Sequence, residues 1–157
     1  MAKKSWKEKL HNKKDQLPEI KEIDCEKLIA RTGKGKMVIP APLEIDALMK
    51  QVPEGFLITT DQIREYFNEK YHAVYTCPLC TGIFSRIAAC AAEEDQMAGK
   101  KDFTPYWRTL KTNGEINEKF PGGIEGQVQL LEQEGHSIIR KGKKYFVKDV
   151  GAAQFVL

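Results

Sequence analysis

Cys77-Pro78-Leu79-Cys80 is the pair whose spacing can do chemistry. Two thiols three residues apart are half of a tetrahedral zinc site, a dithiol redox couple or, at the first turn of a helix, an activated nucleophile. Zinc would need a second Cys-x-x-Cys or a His-x3-His to complete its ligands. His11, His72 and His136 are isolated singles, so no metal is expected and no cofactor motif is present. A redox couple would belong to a βαβ pattern, which does not surround this motif. The other cysteines are Cys25 and Cys90, and the chain opens Met1-Ala2-Lys3-Lys4-Ser5-Trp6, which leads into charge instead of an apolar signal core. Reduced thiols are therefore expected in place of a disulfide framework. Arg31-Thr32-Gly33-Lys34-Gly35-Lys36 lacks the Gly-x4-Gly-Lys-Ser/Thr spacing of a phosphate-binding loop and reads as a flexible basic linker.

The elements that must position these residues are short and mainly helical. Ser5-Trp6-Lys7-Glu8 has the form of a capping box and predicts a helix running to about Lys14. Met37 to Pro42 reads as extended, because two prolines discourage helix in the residues before them. A helix follows from about Leu43 to Gln51, with Ile45, Leu48 and Met49 as its apolar stripe. Thr60 or Asp61 can cap a second helix that carries Ile63, Tyr66 and Phe67. A third begins near Pro78 with Ile83, Phe84, Ile87 and Ala91 turned inward. Two helices across a turn make a helix-turn-helix candidate. The third also carries the small residues Gly82, Ser85, Ala89 and Ala92, a face suited to close approach, either to another helix or to a narrow groove of DNA. A helix from about Ile124 to Glu134 and a hairpin of Ser137 to Arg140 with Lys144 to Val147, turning at Gly142, close the chain. Together these predict an α+β, mainly helical winged helix-turn-helix domain over 37–157, preceded by a basic arm and linker over 1–36.

Charge is unevenly placed along the 157 residues. Residues 1–14 and 136–148 each carry +5, which leaves −7 on the remainder of a chain whose net charge is +3. Two basic patches on an acidic body suit a polyanion that touches part of the surface. With 41% hydrophobic residues, the chain can bury one core. No apolar run approaches the roughly 20 residues that cross a bilayer, so no membrane association is expected and the expected location is the cytoplasm.

Pro105-Tyr106-Trp107-Arg108-Thr109-Leu110, then Pro121-Gly122-Gly123, then Leu130-Leu131-Glu132-Gln133-Glu134-Gly135, resembles the active-site region of the alkylguanine-DNA alkyltransferases. There the order is Pro-Cys-His-Arg-Val-Val, Gly-Gly and Leu-Leu-x-x-Glu-Gly. Val52-Pro53-Glu54-Gly55 through Thr59-Thr60-Asp61-Gln62-Ile63 is similar to a second family segment, so the resemblance covers roughly Ile45 to Lys148. Pro105, Arg108, Gly122, Gly123, Gln127, Leu130, Leu131, Glu134 and Gly135 match in register. Tyr106 stands at the position of the methyl-accepting cysteine and Trp107 at that of its activating histidine. Thr60 replaces the family tyrosine that helps rotate a nucleotide out of the duplex. Leu79 replaces the arginine that fills the resulting gap, and Cys80-Thr81-Gly82 falls on the family's Ala-Val-Gly.

The resemblance thus implies the alkyltransferase-like branch, in which the fold binds alkylated guanine without repairing it and marks the site for other repair proteins. It implies double-stranded DNA as partner, alkylated or not, a repair-protein partner, and a binding site of Thr60, Leu79, Cys80, Thr81, Gly82, Tyr106, Trp107 and Arg108. Glu134, left without an imidazole to orient, is expected to satisfy backbone groups or to pair structurally with Arg108. Two other readings stay open: a protein-interaction module on a decayed repair fold, and a methyl acceptor that uses a substitute thiol such as Cys80, activated by a helix N-terminus.

Overall fold

The computed structural model describes residues 5–12 and 16–157. Ser5 Oγ accepts from the Glu8 N–H and starts α1 (Trp6–Leu10), as the capping pattern predicts. The helix ends at Leu10 with His11 as its C-cap, short of the expected Lys14, and Lys13 and Lys14 lie outside the described residues. β1 (Glu19–Glu22) and α2 (Glu26–Thr32) follow, so Arg31-Thr32 ends a helix and Lys36 begins β2 (Lys36–Ile39) in the stretch read as a linker. Only Gly33, Lys34 and Gly35 between them form the turn. Gly35 has φ +155°, and a side chain there would meet Val74 at about 2.9 Å.

Pro42 occupies the first turn of α3 (Pro42–Lys50), where a missing N–H costs nothing, and Ile45, Leu48 and Met49 are buried as their spacing predicts. The second predicted helix is α4 (Thr60–Lys70), but its cap is one residue earlier than expected. The Thr59 hydroxyl accepts from the Gln62 N–H, and Gln62 Oε1 accepts from the Thr59 N–H in return. α5 (Pro78–Met97), α6 (Gly123–Gln133) and the hairpin of β6 (Ile138–Lys141) and β7 (Lys144–Val147) appear where the sequence places them. Gly142 in the turn of that hairpin has φ +64°.

Three small sheets tie the helices together. β1 pairs antiparallel with β2, which pairs in parallel with β4 (Tyr75–Thr76); β3 (Ile58–Thr59) pairs in parallel with β5 (Thr109–Leu110); β6 pairs with β7. The result is a mixed α/β fold. No helix among the described residues is long and apolar enough to cross a membrane.

The inward face of α5 departs from the expectation at Ile83, which is 49% exposed; Ala91 is buried, and Phe84 and Ile87 pack partly buried against the core, as their spacing predicts. Thr81, Ser85, Ala88, Ala89 and Ala92 are also buried, while Leu79 is 71% exposed. The small residues serve helix packing, because α1 and α3 both cross α5 and side chains larger than alanine would hold them apart. The buried hydroxyls cost little. Thr81 Oγ1 donates to the Cys77 carbonyl at 2.7 Å and Ser85 Oγ to the Thr81 carbonyl at 2.7 Å. Packing of the small face leaves the larger apolar residues of the first turns facing outward.

Candidate nucleic-acid interface

A hollow of about 540 Å³ lies beside those outward residues. Pro78, Leu79, Gly82, Ile83 and Arg86 of α5 form one wall, Thr60, Asp61 and Arg64 of α4 a second, and Lys111, Thr112, Asn117 and Lys119 a third, with Trp6 and Lys9 of α1 at its edge. Five cations, Lys9, Arg64, Arg86, Lys111 and Lys119, therefore face one carboxylate, Asp61. Arg64 is held by β4, since its Nε donates to the Thr76 carbonyl at 2.9 Å and its guanidinium lies 5.4 Å from the Tyr75 ring. Lys111 is shared with Glu118 at 2.8 Å. Among the described residues Arg86 and Lys119 form no ion pair, and both are exposed, so their charge faces solvent.

Of the residues singled out in the sequence, Thr60, Leu79 and Gly82 line this hollow. Cys80 and Thr81 lie on the same helical turn behind it, Thr81 fully buried and Cys80 half-buried. Tyr106, Trp107 and Arg108 form a tight turn packed against α3, α5 and α6 and are not among the hollow's walls. Tyr106 is only 5% exposed, its ring edge-on to Phe120 at 6.1 Å and to Trp107 at 5.3 Å. It fills core space between α5 and Phe120. Burial also pushes its phenol above the ordinary range.

Arg108 is the hub of that turn. Its Nε donates to both Glu134 carboxylate oxygens at 2.8 and 3.1 Å, and its Nη1 to the Val52 carbonyl at 2.8 Å. The expected Arg108–Glu134 pair is thus present, binding the end of α6 to the turn after α3. Gln127, which the sequence offered only as a matched residue, is the second clamp. Fully buried, it accepts the Asn117 N–H at 2.9 Å and donates to the Trp107 and Thr109 carbonyls at 3.2 and 3.3 Å. It fixes the Lys111–Lys119 wall against α6. Gln127→Leu would strand one buried N–H and two carbonyls, and a loss of about 2–3 kcal/mol in unfolding free energy is expected from urea titration.

Thiol chemistry at Cys80 meets an opposing environment. Cys77 caps α5 with its own sulfur, which accepts the Cys80 N–H at 3.4 Å. Burial, then the hydrogen bond with Cys77, pushes the Cys80 thiol up to about 11 instead of down. At neutral pH its thiolate fraction is then on the order of one in ten thousand, which weighs against a substitute methyl acceptor. The described residues contain no cluster of three or more metal-ligating side chains.

Sequence reasoning missed Trp6, Ile83, Arg64, Arg86, Lys111 and Lys119. They come from α1, α4, α5 and the 111–119 segment, and no local spacing announces that they converge.

No family model and no curated protein sequence matches the chain. Among solved structures, it is similar to the crystal structure of S. pombe Atl1 in complex with damaged DNA containing O6-carboxymethylguanine. That similarity has a TM-score of 0.49 at 15% sequence identity, and covers 73% of this chain and 93% of that one.

Proposed function

We propose that this protein binds duplex DNA without catalysis, through the cation-walled hollow, and that alkylated guanine is the base it prefers there. The observation that carries the reading is the combination at the start of α5: an exposed leucine and isoleucine in a hollow faced by five cations and one carboxylate. Cations so placed neutralise phosphates, while an exposed Leu79 is the kind of apolar wedge that enters a base step from the minor groove. α4 and α5 then act as a helix-turn-helix and the β6–β7 hairpin as its wing, where Arg140, Lys141, Lys143, Lys144 and Lys148 are all exposed and meet further phosphates. Thr60, Leu79 and Gly82 contact the nucleic acid. Cys80, Thr81, Tyr106, Trp107 and Arg108 support those contacts from behind.

The preference for alkylated guanine draws on the sequence resemblance of Pro105 to Gly135 to the alkyltransferases. A binder of such lesions that cannot remove them would hand the site to other repair proteins.

A titration with paired duplexes, with and without a guanine methylated on its exocyclic oxygen, tests the reading. If about five phosphates are neutralised, log affinity falls against log salt with a slope near −4 to −5. A slope near zero removes duplex binding, and equal affinity for both duplexes removes the lesion preference alone.

A further inference from the structure

We infer that the amino-terminal helix α1 is a built part of the DNA-binding face, placing the Trp6 ring and the Lys9 ammonium against the duplex backbone beside the hollow. The inference rests on the duplex-binding reading above and adds a contact that reading does not require. α1 has five residues, too few to hold a helical shape alone. It is held by α5 instead. Leu10 is buried at 6% exposure, the Lys7 N–H donates to Glu94 Oε1 at 2.8 Å, and Lys7 Nζ pairs at 2.7 Å with Asp95, which Lys100 also approaches at 3.4 Å.

These anchors secure the helix without drawing on the polar reach of its neighbouring cations. Lys9 Nζ sits 4.1 Å and the Arg86 guanidinium 5.2 Å from the Trp6 ring, and all three line the hollow. Each cation is attracted to the ring face, but the two repel each other, and among the described residues neither has an ion pair to offset that. An anion that approaches either cation from the hollow lowers the repulsion. A duplex supplies phosphates at close regular spacing, together with sugar and base surfaces for an indole to stack on. The arm is thereby more than a lysine-rich tail: it carries one aromatic contact in a fixed place.

Three variants and one spectroscopic probe test this. Trp6→Leu keeps an apolar side chain under the helix but removes the ring, and is expected to weaken binding to a short duplex roughly tenfold. Trp6→Phe keeps a ring and is expected to retain most of the affinity. Lys9→Gln is expected to lower the salt slope by about 1. In protein carrying 5-fluorotryptophan, the fluorine resonance that disappears in Trp6→Leu is expected to shift when duplex is added. If the wild-type protein binds duplex while Trp6→Leu binds equally well and the Trp6 resonance stays in place, α1 is a brace only; the inference fails and the binding reading stands. If Trp6→Leu and Trp6→Phe lose affinity alike, with matching drops in unfolding midpoint, packing explains the loss and the inference also fails. A wild-type protein that binds no duplex overturns both.

Discussion

Arg108→Met is expected to lower unfolding free energy by about 3–5 kcal/mol, the largest single-residue effect the fold predicts. Glu134 has 7% of its side chain exposed and Arg108 15%, so the pair is largely out of water. Two guanidinium nitrogens grip the carboxylate, and a third holds the Val52 carbonyl. Removing the guanidinium leaves a carboxylate with little solvent and no counter-charge, as well as an unmet carbonyl. Glu134→Leu strands the charge on the other partner and should cost a similar amount. The pair replaced together, Arg108→Met with Glu134→Leu, is expected to recover most of the loss, because two apolar side chains of comparable size need no desolvated charge. Urea titrations at constant m-value provide the comparison. Single variants that lose under about 1 kcal/mol would mean that water reaches the pair, in the range of exposed ion pairs.

That pair also shows what kind of structure the sequence made legible. Arg108 was one of the partners expected for Glu134, and the pair forms across 26 residues. Local signals were legible as well: the Ile45-Leu48-Met49 stripe of α3, the Ser5 cap of α1 and the Gly142 turn of the hairpin depend on residues close in sequence. The small face of α5 was legible as a helix-packing surface, but the outward turn of Ile83 was not, since periodicity ranks Ile83 above Ala88 by hydrophobicity. What decides the matter is how near α1 and α3 come, and close helices select small side chains. Tyr106 was ambiguous for a related reason. An aromatic side chain at position 106 can wall a void or fill it, and Phe120, fourteen positions along the chain, supplies the surface it packs against. The hollow was the least legible feature, because Arg64, Arg86 and Lys119 meet only through the tertiary fold.

Those convergent charges set the second large effect. The double variant Arg86→Glu with Lys119→Glu is expected to weaken duplex binding by at least about a hundredfold at low salt, several kcal/mol when like charges replace complementary ones. Both side chains are exposed and without ion pairs among the described residues, but Arg86 also lies over the Trp6 ring, so reversal is expected to cost up to about 1 kcal/mol of stability, and a urea titration of the same variant separates that cost from the loss of binding. The neutral double variant, Arg86→Gln with Lys119→Gln, separates two contributions. If each cation neutralises one phosphate, the log–log salt slope becomes less negative by about 1.8 in the neutral variant, because two fewer counterions are released. Charge reversal should weaken binding further through repulsion. Apolar insertion at Leu79 responds differently: Leu79→Ala is a loss of wedge contact that salt does not screen, so its slope should match the wild-type protein while its affinity falls. A double reversal that leaves affinity and slope unchanged would place the DNA elsewhere on the surface, with the exposed cations of the β6–β7 hairpin the next face to neutralise.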